Sequence, residues 1–248
     1  MRICIDLFAK RIPIIYRNRI MSLIKEALNQ SDSKYRESLY PSEKEKKRPK
    51  HFSFGLSLPS TKRLKNDIFE FDRESRMRFI ISTSDYEFLM HLYNGILKIK
   101  NFDMGRDMNI RIGKIHLLPP GEITDEEIVF KTLSPILIED KSENPLIPKK
   151  NSKKFNKEFF EVQNRIVKSL RGKGLYKEIE FIPVKIKKQV IKHFISEFTQ
   201  KTGKPYMMLT CFEGVFNLKG DVRDLQFLYD NGIGLRTSQG FGLVDIVG

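Results

Sequence analysis

The chain has 248 residues, 40% of them hydrophobic and 11% aromatic, enough to build one large packed core or two small ones. Lys and Arg number 45 against 31 Asp and Glu, a formal net charge of +14 that points to a polyanionic partner, nucleic acid ahead of membrane. No stretch is long and apolar enough to span a bilayer, the first eight residues lack a signal-peptide pattern, and two cysteines are too few for a disulfide scaffold. Cys4 and Cys211 are therefore expected as reduced thiols in a cytoplasmic protein.

In chain order, residues 2–8 alternate, with Ile3, Ile5 and Leu7 on one face and Cys4 and Asp6 on the other, the pattern of a half-buried strand. Residues 14–29 follow as a helix whose apolar stripe is Ile20, Leu23, Ile24, Ala27 and Leu28. Residues 31–50 are polar and basic and are expected as a loop. Residues 51–58 and 76–82 alternate again, with 65–71 a hairpin partner. Ser84 is placed to cap a helix over 85–98, and 108–118 is a strand ending at Pro119-Pro120-Gly121.

That order is β-α-β-β-α-β, and it repeats. Residues 128–138 form a strand and 152–170 a helix with Phe155, Phe159, Val162, Ile166 and Leu170 in register. Two long strands over 178–194 and 205–218 flank a turn at Thr202-Gly203-Lys204. A helix over 221–230 and a strand over 241–247 complete the repeat. The expected fold class is α+β, two tandem ferredoxin-like (RRM-like) βαββαβ domains with a C-terminal glycine-rich loop. The boundary falls in the Pro-, Gly- and acid-rich stretch 119–127, giving domains 1–122 and 123–248. Such a sheet, with both helices behind it, leaves one face free, and RNA is often held on that face.

The stretch 231–242, Asn-Gly-Ile-Gly-Leu-Arg-Thr-Ser-Gln-Gly-Phe-Gly, carries four glycines between a helix and a strand. A helix C-cap and a strand entry account for Gly232 and Gly240; Gly234 and Gly242 remain. Glycines permit φ > 0 and close backbone approach, and Arg236, Thr237, Ser238 and Gln239 between them are hydrogen-bond donors, so the loop suits phosphate. A Cβ at Gly234 or Gly240 is expected to obstruct RNA without disturbing the core. The basic runs 44–50 and 149–157, including Lys149, Lys150, Lys153, Lys154 and Lys157, fit RNA backbone contact, and Arg165, Lys168, Arg171 and Lys173 extend the second.

Three passages together resemble a family: Gly232-Ile-Gly-Leu-Arg-Thr-Ser-Gln-Gly-Phe-Gly, the strand His51-Phe-Ser-Phe-Gly-Leu-Ser-Leu, and Phe130-Lys-Thr-Leu-Ser-Pro-Ile. The chain resembles the CRISPR-associated endoribonucleases of the repeat-associated mysterious protein superfamily, which process precursor CRISPR RNA. The resemblance implies a metal-independent endoribonuclease in which a ribose 2′-OH attacks the adjacent phosphate, leaving a 2′,3′-cyclic phosphate and a 5′-OH. The alternative is a catalytically silent CRISPR RNA-binding subunit of an effector complex. Partners implied are CRISPR repeat RNA and either a second copy or an effector complex, with no membrane, no cofactor and no metal.

Many family members place a Tyr on the first helix, a His after it and a Lys before the second strand. Those positions fall here on Lys25, Tyr40 and Lys50, so the usual histidine is missing. Tyr and Lys ionise near pH 10 and 10.4 when unperturbed, far from neutral. His51 adjoins Lys50 and is the reserve candidate for the base, because an imidazole titrates near neutrality. His91, His116 and His193 are expected to be structural. A third reading, a general RNA-binding protein with two recognition-motif-like domains, lacks the aromatic Lys/Arg-Gly-Phe-Gly-Phe signature in either half.

Overall fold

The computed structural model describes residues 1–41, 48–149 and 152–247. The first half runs β1 (Arg2–Pro13), α1 (Tyr16–Ser31), α2 (Ser33–Leu39), β2 (Phe52–Ser57), β3 (Arg63–Lys65), β4 (Ile68–Thr83), α3 (Tyr86–Ile96), β5 (Asn101–Gly105) and β6 (Met108–Leu118). The second runs β7 (Glu127–Thr132), α4 (Lys153–Arg171), β8 (Glu180–His193), α5 (Ser196–Thr202), β9 (Met207–Lys219), α6 (Val222–Asn231) and β10 (Val244–Ile246). A single 3-10 turn, Thr237–Gln239, lies between α6 and β10.

Both sheets are antiparallel with the ferredoxin-like strand order. The first is β2-β4-β1-β6-β5, with β3 on β4, and the second is β10-β7-β9-β8. The first sheet exceeds the four strands expected because two hairpins extend it. Each turns on a pair of residues with positive φ, Asn66-Asp67 and Arg106-Asp107, as a two-residue type I′ turn requires. β4 is therefore one strand from Ile68 to Thr83 where two segments were expected. The stretch after α1 holds the short helix α2, capped by the Asp32 side chain accepting from Tyr35 N, so it is not loop throughout. The cap of α3 is Asp85, accepting from Phe88 N, rather than Ser84. The strand expected over 128–138 stops at Thr132, beyond which the chain turns to meet the segment before β10.

Ile3, Ile5 and Leu7 pack under Ile20, Leu23, Ile24, Ala27 and Leu28 of α1 and Phe88, Leu92 and Ile96 of α3. The second core is aromatic: Phe130, Phe155, Phe159, Phe181, Phe212 and Phe216 are all buried, with Phe181 stacked on Phe216 at 4.5 Å. Among the described residues, no helix is long and apolar enough to cross a membrane.

The reverse face of the first sheet is not free over its whole area. Cys4 and Asp6, expected to face outward, are 2% and 7% exposed. Cys4 packs with Ile80 and with Leu243 of the second half, while Asp6 lies beside Arg76 and His116. Arg2, 3% exposed, ties the halves together: Nη2 donates to the carbonyls of Tyr229 (3.0 Å) and Val244 (2.6 Å), and Nη1 reaches Asp245 Oδ1 at 3.2 Å. Its guanidinium also lies 3.6 Å from the centroid of the Tyr229 ring.

Candidate RNA site

Lys25 projects from α1, Tyr40 caps the end of α2, and Lys50 directly precedes β2. The fold brings these three together. Lys25 Nζ lies 4.8 Å and Lys50 Nζ 4.5 Å from the centroid of the Tyr40 ring, so one aromatic side chain carries two ammonium groups. Both lysines are half-buried. Burial, and then repulsion from Arg36, lowers the pKa of Lys25; burial, and then repulsion from Lys25, lowers that of Lys50. Among the described residues, neither has a carboxylate in ion-pair range. Burial, followed by the charge of Tyr35, raises the pKa of Tyr40, whose buried hydroxyl has no hydrogen-bond partner among the described residues. Two neighbouring cations with no counter-charge among the described residues make a site that favours an added anion.

His51, next in sequence to Lys50, has a ring partner of its own. Its ring packs edge-on against Phe227 of α6 at 6.2 Å, and its carbonyl accepts from Thr83 Oγ1. The other histidines have protein partners: His91 stacks on Tyr35 at 4.4 Å, His116 Nε2 lies 3.3 Å from Asp6 Oδ2, and His193 Nε2 lies 3.0 Å from Gln239 Oε1.

The glycine-rich loop differs from expectation in what its glycines face. Gly232, Gly234, Gly240 and Gly242 do all have positive φ, but all four are buried against protein. A Cβ at Gly234 would lie 2.6 Å from the Leu137 carbonyl oxygen, and one at Gly240 would lie 2.8 Å from Phe54 Cε2 and 3.1 Å from Arg17 Cγ. The expectation that a side chain there would spare the core is therefore corrected: a Cβ at Gly234 runs into the second half itself and one at Gly240 into the first. Several amides of the loop are also occupied internally, Gly232 N by Leu228 O, Gly242 N by Pro135 O and Gly240 N by Thr237 O. Arg236, Ser238 and Gln239 remain half-exposed on the outer side, with Thr237 buried beneath.

The three sequence passages converge on this junction. Leu133 N and Ser134 N donate to Leu243 O, and Ser134 Oγ accepts from Leu243 N at 2.9 Å. Ser53 and Phe54 of β2 lie against Gly232 and Gly240. Sequence reasoning missed Arg17, 8% exposed, whose Nε donates to the Gly240 carbonyl at 3.1 Å. Its signal was a charge at a position flanking the apolar stripe of α1.

Lys149, Lys153, Lys154 and Lys157 are exposed; Lys150 and residues 44–47 lie outside the described residues. Lys153, Lys154 and Lys157 crowd the first turns of α4, which has no acidic residue in its first turn. Cations at a helix N-terminus oppose the macrodipole at about 0.3–1 kcal/mol each, so they favour an external anion there.

The family model described as CRISPR associated protein Cas6, C-terminal, matches residues 118–246. No curated protein sequence matches the chain. Among solved structures, a Cas6-related gene product from Pyrococcus furiosus is similar at a TM-score of 0.80 and 21% identity, covering 100% of this chain and 98% of that one. A RAMP protein binding different RNA substrates is similar at 0.78 and 20% identity, covering 100% of both chains. A CRISPR associated protein Cas6 is similar at 0.70 and 23% identity, covering 100% of this chain and 99% of that one. At these identities the structural likeness speaks for the fold.

Proposed function

The chain belongs to the CRISPR associated protein Cas6 family, a family of CRISPR RNA-processing and RNA-binding proteins, and from that premise we propose that it is a metal-independent endoribonuclease cleaving CRISPR repeat RNA. The observation that carries this reading is the pair of lysines held over one tyrosine ring, with no carboxylate in ion-pair range among the described residues. In the proposed reaction the 2′-oxygen attacks phosphorus and its proton leaves. The bond to the 5′-oxygen breaks and that oxygen gains a proton, giving a 2′,3′-cyclic phosphate and a 5′-OH. Lys25 and Lys50 stabilise the charge growing on the phosphorane, and their lowered pKa values raise the fraction of amine able to take the 2′ proton. Tyr40 is the platform that holds them, since its raised pKa leaves almost no phenolate to act as a base. His51, turned to Phe227, takes no part in the chemistry. Arg236, Ser238 and Gln239, with the lysines of α4, hold the RNA backbone, over Thr237 buried beneath them.

Single-turnover cleavage of repeat RNA in excess EDTA tests this. Lys50→Ala and Lys25→Ala should each slow cutting by about 10²-fold with little change in binding, as for loss of one electrostatic contact to the transition state. His51→Ala should cut like the parent, and a 2′-deoxy substitution at the cut site should abolish cleavage. A product ending in a 3′-OH, or lysine variants as fast as the parent, refutes the proposal. The silent-binder reading draws on the tyrosine, Tyr40, that stands at the family's histidine position; it is the outcome if the parent binds repeat RNA and never cuts it.

A further inference from the structure

Gln239, in the 3-10 turn of the glycine-rich loop, has its side-chain oxygen in contact with two groups. Arg236 Nη1 lies 3.3 Å from Gln239 Oε1, and His193 Nε2 lies 3.0 Å from the same atom. A guanidinium only donates, so the amide oxygen, not its nitrogen, must face Arg236. His193 Nε2 meets that same oxygen and must carry a proton to bond it. Its Nδ1 is then the bare nitrogen, and that atom is buried with no partner among the described residues. His193 itself is 1% exposed, fixed edge-on against Phe241 at 5.4 Å. Burial lowers its pKa to about 4, reinforced by Arg236 and Arg17 and opposed by the Gln239 bond, so the ring is neutral at physiological pH.

With both lone pairs of Oε1 engaged, the half-exposed Gln239 has only its NH2 group left to offer. Resting on the proposed RNA-binding role of this loop, we infer that His193 is a positioning residue that, with Arg236, orients Gln239 as a donor-only contact to a phosphate oxygen of the bound RNA strand. Reading adenine takes a donor and an acceptor from one amide, and that option is closed here. The adjacent Arg236 charge favours phosphate over a base carbonyl. β8 thus acts on RNA through the loop, from a histidine that RNA never touches.

The test measures RNA affinity by fluorescence anisotropy, using repeat RNA with a 2′-deoxy cut site so that binding is read without cleavage. Gln239→Ala should weaken binding by about tenfold or more on every RNA sequence, the worth of one hydrogen bond to a charged group. It should leave the salt slope unchanged, whereas Arg236→Ala should make it shallower by about 0.7. His193→Phe keeps a ring against Phe241 and removes the donor; it should lose a similar factor, and His193→Phe/Gln239→Ala should bind no more weakly than Gln239→Ala alone. Nitrogen-15 spectra should show His193 as the Nε2–H tautomer.

An Nδ1–H tautomer, multiplying losses, or a His193→Phe variant that binds like the parent overturns the inference. A loss confined to particular sequences overturns the phosphate assignment. Should His193→Phe fail to fold, Gln239→Glu decides: it keeps the acceptor and removes the outward donors, so parent-like binding would again overturn it. A parent that binds no RNA refutes the functional reading instead, which keeps the two failures distinct.

Discussion

Gly172 and Gly240 occupy the same region of backbone space, with φ of +80° and +89°, in different surroundings. A Cβ at Gly172 meets nothing within 4 Å, whereas one at Gly240 meets the Phe54 ring at 2.8 and 3.0 Å and Arg17 Cγ at 3.1 Å. Both alanine variants incur the left-handed penalty of a non-glycine residue, about 1–2 kcal/mol. Only Gly240→Ala adds overpacking, about 1–3 kcal/mol for an extra carbon in a filled core. Phe54 is fully buried and stands edge-on to Phe79 at 5.7 Å, so its ring has little room to retreat. The difference between the variants should therefore be about 2 kcal/mol, or roughly 4–8 °C in thermal midpoint for a chain of this size. Scanning calorimetry or urea melts of the two variants beside the parent measure it. At a temperature well below its midpoint, Gly240→Ala should still bind repeat RNA. Equal melting of the two variants, with RNA affinity lost only in Gly240→Ala, would refute the packing argument and restore close RNA approach as the reason for the glycine.

Arg2→Met should destabilise the protein by about 3 kcal/mol, because the Tyr229 and Val244 carbonyls lose a charged donor in a buried place; an unchanged urea midpoint would show that the junction does not depend on it. His193 makes stability depend on pH with a definite sign. Its pKa is lowered from 6.5 to about 4 in the folded protein, so its contribution is complete above pH 6.5 and is lost as pH falls from there toward 4. That loss is about 3 kcal/mol, and denaturant melts at a series of pH values should show His193→Phe removing this part of the acid sensitivity; an unaltered pH profile would rule the histidine out as its source.

Most of the secondary structure was legible in the chain because it rests on local periodicity. The i, i+4 stripe of α1 and the alternation of Ile3, Ile5 and Leu7 each require one buried face, whatever covers it. The resemblance of three separated passages likewise pointed to the family and to Lys25, Tyr40 and Lys50 as positions to watch. The extra hairpins were written in Asn66-Asp67 and Arg106-Asp107, though neither pair is the Asn-Gly that marks such turns most strongly. What periodicity cannot carry is the identity of the neighbour across a fold. Cys4 and Asp6 look outward in sequence and are buried all the same, Cys4 against Leu243 of the other half and Asp6 beside Arg76 and His116 of its own sheet. The glycines at 232–242 looked like a cradle for phosphate, since a Cβ-free backbone serves a ligand and a packed junction equally well; only the positions of Phe54, Leu137 and Ser53 decide between them. The local pattern placed one lysine on a helix, another before a strand and a tyrosine at a helix end. Their meeting around one ring, with burial lowering both lysine pKa values, depends on long-range packing that no local pattern encodes.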